Sequence, residues 1–164
     1  MRKLKLILIL LSLLSFGNLF ANETEQDFSQ TKIGWDGPPE YEFKLVECKR
    51  QENPSRVYVR LMLKHPFANQ ELNIYSVQAI DYQENEYEFG WYKHVRYSIS
   101  GEPYFYGYNT IVAKTDQETM IEVCSDIQNK VDVFDTFTIA FKIEEPFYHS
   151  RYCSLKFLDL PVIW

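Results

Sequence analysis

The chain has 164 residues, with 17 Lys and Arg against 23 Asp and Glu, a formal net charge of −6, 46% hydrophobic residues and 16% aromatic ones. That length holds one ordinary domain and excludes two large ones, while the apolar content excludes global disorder and collagen-like or low-complexity chains. Arg2, Lys3 and Lys5 lie in a segment expected to be removed, which leaves 14 bases against 23 acids and makes nucleic acid a poor partner.

Residues 1–21 read as a secretory signal: a basic start, an apolar run from Leu6 to about Phe16 and a short end in Ala21. The run is shorter than the ~20 residues needed to cross a bilayer, and the polar stretch Asn22 to Asp27 follows at once. No Cys stands near the boundary, so lipid attachment lacks its nucleophile. The expected product is periplasmic or secreted, soluble and without stable membrane insertion.

Residues 22–40 are polar, lack apolar periodicity and end in Trp35-Asp36-Gly37-Pro38-Pro39, where two prolines remove backbone donors. This predicts a flexible tether, with Trp35 docking it on the domain that follows, residues 41–164. From Tyr41 onward the dominant period is two. Val57, Val59, Leu61 and Leu63 alternate with Tyr58, Arg60, Met62 and Lys64, which predicts a strand with one face toward a core. Tyr87 to Ile99 and Thr136 to Ile143 repeat the pattern, the latter with β-branched and aromatic residues that suit strands. Weaker strands are expected at Tyr41 to Cys48, Leu72 to Ile80, Thr110 to Lys114, Thr119 to Ser125 and Tyr152 to Leu160. Asp126 to Asp132 has room for one helical turn; no longer helix is indicated.

About eight short antiparallel strands, each wet on one side and dry on the other, predict an all-β sandwich of two stacked sheets in an immunoglobulin-like architecture. Cys48, Trp91 and Cys124 echo the antibody Cys-Trp-Cys spacing too loosely to imply ancestry. A small outer-membrane barrel is opposed by short strands, cysteines and Pro161 in the terminal strand.

Export favours disulfides. Cys48, Cys124 and Cys153 contain no Cys-x-x-Cys pair, so neither a redox motif nor a local zinc knuckle is encoded. A Cys48 to Cys153 bridge is expected if the first and last strands are neighbours, with Cys124 as an alternative partner for either and three unpaired thiols as the bland alternative. His65, His94 and His149 lack i, i+2 or i+4 pairing, so no metal site is predicted. His65 reads as a strand terminator and His94 as a solvated side chain. The acidic run Asp81 to Glu86 lacks the glycine a calcium loop needs, and Glu86 and Glu88 fall on a wet face. No activated-nucleophile motif occurs, and neither enzymatic activity nor a cofactor is expected.

Recognition residues are sought instead in two aromatic loops. Tyr104, Phe105, Tyr106 and Tyr108 cannot all face one core, because successive strand residues point to opposite sides. The second loop brings Phe147, Tyr148, His149 and Arg151, and its Glu-Pro-aromatic-aromatic order repeats that of Glu102 to Phe105. If both loops fall at one end of the sandwich they form one aromatic surface. The expected function is a non-enzymatic binding domain engaging another protein, in envelope assembly or inhibition of a foreign enzyme. The alternative is a carbohydrate-binding module for cell-wall or surface glycans. Coplanar exposed rings would favour sugar, and mixed orientations protein.

Overall fold

The computed structural model describes residues 26–52, 55–68, 70–90, 110–144 and 150–164. Its strands are β1 (Lys32–Trp35), β2 (Glu42–Glu52), β3 (Ser55–Lys64), β4 (Gln70–Asp81), β5 (Glu86–Glu88), β6 (Thr110–Ala113), β7 (Thr119–Ser125), β8 (Val133–Glu144) and β9 (Ser150–Pro161). They form the expected antiparallel two-sheet sandwich. One sheet runs β1-β9-β8-β4-β5, with β6 also on β4; the other runs β2-β3-β7.

Alternation supplies the core between them. Val57, Val59, Leu61 and Leu63 are buried on β3, and Phe137, Ile139, Phe141 and Ile143 on β8, while their neighbours in sequence turn outward. Phe134 joins the core from a position three before Phe137. The change of spacing marks a bulge of β8 against β4, since Ile80 pairs with Thr136 and Asp81 with Phe134, which leaves Asp135 as the extra residue; on β9 the facing Asp159 has φ 57°. Phe134, Phe137, Phe157 and Phe89 then meet at ring separations of 5.1 to 6.4 Å.

Both sides of the sandwich are closed by chain that passes between sheets. After β5 leaves β4, Gly90 exchanges two backbone hydrogen bonds with Cys124 on β7. After β9, Ile163 donates to the Cys48 carbonyl at 3.0 Å and accepts from the Arg50 amide at 2.7 Å, bridging to β2 in parallel. The Trp164 indole donates to the Val131 carbonyl, and the Arg50 guanidinium stands 4.6 Å over its ring. The single helical turn expected over Asp126 to Asp132 is absent: the backbone there is irregular, Ile127 and Val131 are drawn into the core, and the Val131 and Asp132 carbonyls accept from Trp164 and Val162.

Residues 32–35, within the stretch expected as a tether, form β1. The outer edge of β9 presents unpaired backbone groups, and Lys32 to Trp35 satisfy them from Leu158 to Leu155. Trp35 docks as expected, 4.8 Å from Phe43 and 5.9 Å from Tyr41 and Phe141, with its indole donating to the Pro38 carbonyl at 2.7 Å. Gly37 is required here, because a Cβ at that position would lie 2.0 Å from the Trp35 ring.

The Cys48 to Cys153 bridge does not form, and all three cysteines are buried and outside any disulfide. The neighbour of β9 is β1, not β2. Cys48 lies beside Ile163, whereas Cys153 is ten residues earlier on β9, about 30 Å along an extended strand. Cys48 and Cys124 flank β3 on opposite sides, roughly 10 Å apart and beyond the ~7 Å reach of a disulfide. Burial, aided by Glu47, pushes the Cys48 thiol far above its ordinary value, and burial raises that of Cys124, so neither is a ready nucleophile.

Two outcomes follow. Alkylation of the unfolded protein without prior reduction should add one group to each of the three thiols; intact mass checks this, and a deficit of two would show a bridge. Phe137→Ala should cost about 3–5 kcal/mol in urea unfolding, because a fully buried ring among three others leaves a cavity.

Candidate protein-binding face

At one end of the six-stranded sheet a register row joins four strands: Thr110 on β6 pairs with Asn73 on β4, Asn73 with Lys142 on β8, and Lys142 with Tyr152 on β9. The loop carrying Tyr104, Phe105, Tyr106 and Tyr108 enters at Thr110, and the loop carrying Phe147, Tyr148 and His149 enters β9 at Ser150. These seven residues lie outside the described ones. Their attachment points, however, share one end of the sheet, about 14 Å apart across three strand spacings. Arg151 is described, and it is exposed at the start of β9 opposite Ile143.

Two tyrosines outside the predicted set stand at this end. Tyr152 is 64% exposed and Tyr75 is 51% exposed, with ring centroids 5.5 Å apart and planes at 85°. Tyr152 faces outward by simple alternation, beside buried Cys153. Tyr75 faces outward because β4 carries a bulge there: Ile74 pairs with Phe141 and Ser76 with Ala140, so Tyr75 is the extra residue. The signal for it was present in the sequence. The buried positions of β4 run Leu72, Ile74, Val77, Ala79, and the step of three brackets Tyr75.

Behind this face, an aromatic plug closes the same end of the core. His65 follows β3 and stacks on Tyr41, with centroids 5.2 Å apart and planes at 18°; Phe67 stacks 6.1 Å away at 21°. Trp35, Phe43 and Phe141 continue the cluster. His65 terminates its strand as expected but is also buried, with 1% of its surface exposed and, among the described residues, no partner of hydrogen-bonding geometry for either ring nitrogen. Burial holds its pKa below the ordinary value of 6.5, against smaller opposing effects of the Ala113 carbonyl and Asp116.

Several charged groups elsewhere are engaged in structure. On the outer face of the three-stranded sheet, Arg60 bridges Glu47 and Glu122, and Lys49 pairs with Glu47, beside a groove of about 610 Å³ lined also by Phe28, Val46 and Ile163. Burial opposes the Arg60 charge, but the two carboxylates outweigh it and raise its pKa. The acidic turn after β4 is organised by Asp81, whose carboxylate accepts from the Gln83 and Asn85 amides at 2.8 and 3.0 Å, the Asn85 side chain at 2.8 Å and the Tyr87 hydroxyl at 2.7 Å. Burial alone would raise its pKa; these bonds prevail and lower it. Both carboxylate oxygens are thereby committed to a turn that places Glu84 at φ 64°. Among the described residues no group of three His, Cys, Asp or Glu is arranged to hold a metal ion.

The face is therefore a mixed aromatic and cationic one. Perpendicular rings cannot present a common stacking plane to a sugar, whereas they offer two edges and two faces to the irregular surface of a protein. Set against known protein families, curated proteins and solved structures, the chain matches none. A sandwich architecture hosts many functions and carries none by itself.

His65 gives the plug a pH dependence with a defined sign. Its folded-state pKa is depressed, so the unfolded chain takes up the proton first. The contribution is complete above the unfolded value of 6.5 and declines as pH falls below it. The thermal midpoint should drop between about pH 7.5 and about pH 5, and His65→Phe, which keeps the stack, should drop less over that window. Parallel curves for the two proteins would exclude His65 as the source.

Proposed function

We propose that the protein is an exported, non-enzymatic binding domain that engages another protein at this end of the six-stranded sheet, in envelope assembly or in inhibition of a foreign enzyme. The carrying observation is the exposed Tyr75 and Tyr152 pair at the end where both aromatic loops attach. Export to the periplasm or beyond rests on the signal-like residues 1–21.

The physical basis is the one that makes tyrosine effective at interfaces. Each ring contributes a large area through two rotatable bonds, and its hydroxyl tolerates a wet rim. Held on paired strands, Tyr75 and Tyr152 need little further ordering on binding. Arg151 adds a cation for a carboxylate on the partner, and the loop residues Tyr104, Phe105, Tyr106, Tyr108, Phe147, Tyr148 and His149 extend the surface in this reading.

Immobilised protein should capture a specific partner from an exported-protein fraction of its source, and Tyr75→Ala/Tyr152→Ala should weaken that capture by about tenfold or more. A Tyr104, Tyr106, Tyr148 triple alanine variant reports on the loops separately. Unchanged capture by both variants would remove this end of the sheet from the interaction, and displacement of the bound material by soluble glycans would transfer the assignment to carbohydrate.

A further inference from the structure

The centre of the same sheet carries a charge pattern that the loop end does not use. One register row on the outer face runs Lys156 on β9, Thr138 on β8, Gln78 on β4 and Glu88 on β5. The next runs Lys32 on β1, Leu158, Thr136, Ile80 and Glu86. Along these two rows the face is basic at its β1 and β9 side and acidic at its β5 side, while the flanking Asp36 and Asp159 are engaged by Ser154 and Tyr82. Lys32, Lys156, Glu86 and Glu88 are all exposed, and none forms an ion pair among the described residues. Lys156 and Glu88 cannot meet in one copy, because three strand spacings, about 14 Å, separate them. Between them the floor is built of small or short residues, including Thr136, Thr138, Ala140 and Ser76.

We infer that this face docks on the same face of a second copy of the chain. The two-fold axis lies in the interface, parallel to the strands and between β8 and β4. That operation sets β9 of each copy over β5 of the other while keeping the rows in line. Lys156 then meets Glu88 of the second copy twice, Thr138 meets Gln78 twice, and Lys32 lies diagonal to Glu86. The interface is isologous, and the charge layout selects its operator: a two-fold axis across the strands would place β9 over β9 and cation against cation. The contact covers four strands, β9 to β5, about 19 Å wide, by about eight residues, about 27 Å, or roughly 500 Å² per copy and roughly 1,000 Å² in all. This lower bound of specific interfaces fits a reversible dimer. Tyr75 lies three residues along β4 from Gln78 and Tyr152 four along β9 from Lys156, so the tyrosines border the contact and the charged pairs are distinct from them; dimerisation goes beyond the binding role and is tested at the charges.

Sedimentation of the purified protein at low ionic strength should show a monomer and dimer equilibrium that shifts toward monomer as salt is added. Lys156→Glu and Glu88→Lys should each weaken dimerisation by about tenfold or more, since each turns two attractions into two repulsions, and the double exchange K156E/E88K should restore it. Circular dichroism of each variant reports whether the sandwich is intact, and recovery in the double variant cannot arise from misfolding. Singles that dimerise like the parent, a double variant that stays weak, or a protein monomeric at its highest soluble concentration in low salt would overturn the proposal. Capture of a partner by K156E or E88K should equal the parent's, since neither charge belongs to the tyrosine pair; loss of the dimer in Tyr75→Ala/Tyr152→Ala while both charge exchanges leave it intact would assign self-association to the loop end and overturn the proposal.

Discussion

Every other feature of the molecule depends on the apolar layer between two sheets of unequal width. The six-stranded sheet offers a wide buried face centred on β8, where Phe134, Phe137, Ile139, Phe141 and Ile143 all point inward. The opposing sheet has only β2, β3 and β7. Three strands cannot cover that face alone, so the sides must be closed by something else. Gly90 on β7 and Ile163 on β2 close them with backbone hydrogen bonds, and the Trp35, Tyr41, His65 and Phe67 plug closes one end with rings.

That closure also disposes of polar groups that a narrow sheet would leave unsatisfied. Alternate amides of β2 point away from β3, Cys48 among them, and the Gln26 side chain accepts its hydrogen bond at 2.8 Å while donating to the Pro161 carbonyl at 3.0 Å. At β9, Asp36 takes over where β1 stops, accepting from the Ser154 amide and hydroxyl. Side chains thus finish edges that backbone pairing leaves open, which limits uncontrolled strand addition. The outer face of the wide sheet remains as the open surface, with its tyrosines at one end and its divided charges across the middle.

Much of the fold was legible in the sequence because alternation is a local record of which side of a strand is dry. Val57 to Leu63 and Phe137 to Ile143 needed no tertiary information to be assigned. The candidate site was less legible. Arg151 was singled out and is exposed, but Tyr75 and Tyr152 were not, and they became a pair only because β8 places β4 and β9 on its two flanks. Steps of three in otherwise alternating runs, at Ile74 to Val77 and Phe134 to Phe137, marked the bulges and were the missed signal.

Chain order alone misled where partners lie far apart in sequence. Cys48 and Cys153 stand in strands that looked like the ends of one domain, yet Lys32 to Trp35 occupy the place beside β9 that the bridge required. Residues 126–132 have room for a turn of helix, but Ile127 and Val131 are drawn into the core and the Val131 and Asp132 carbonyls meet Trp164 and Val162. The amino-acid sequence by itself determined the layered all-β architecture, the inward face of each strand and the docking role of Trp35, since these follow from neighbours one or two residues away. Only the tertiary structure decided which edges pair, that the thiols stay apart and that two tyrosines meet on the surface, because hydrogen-bond partners and cross-strand neighbours are chosen by long-range closure of the chain.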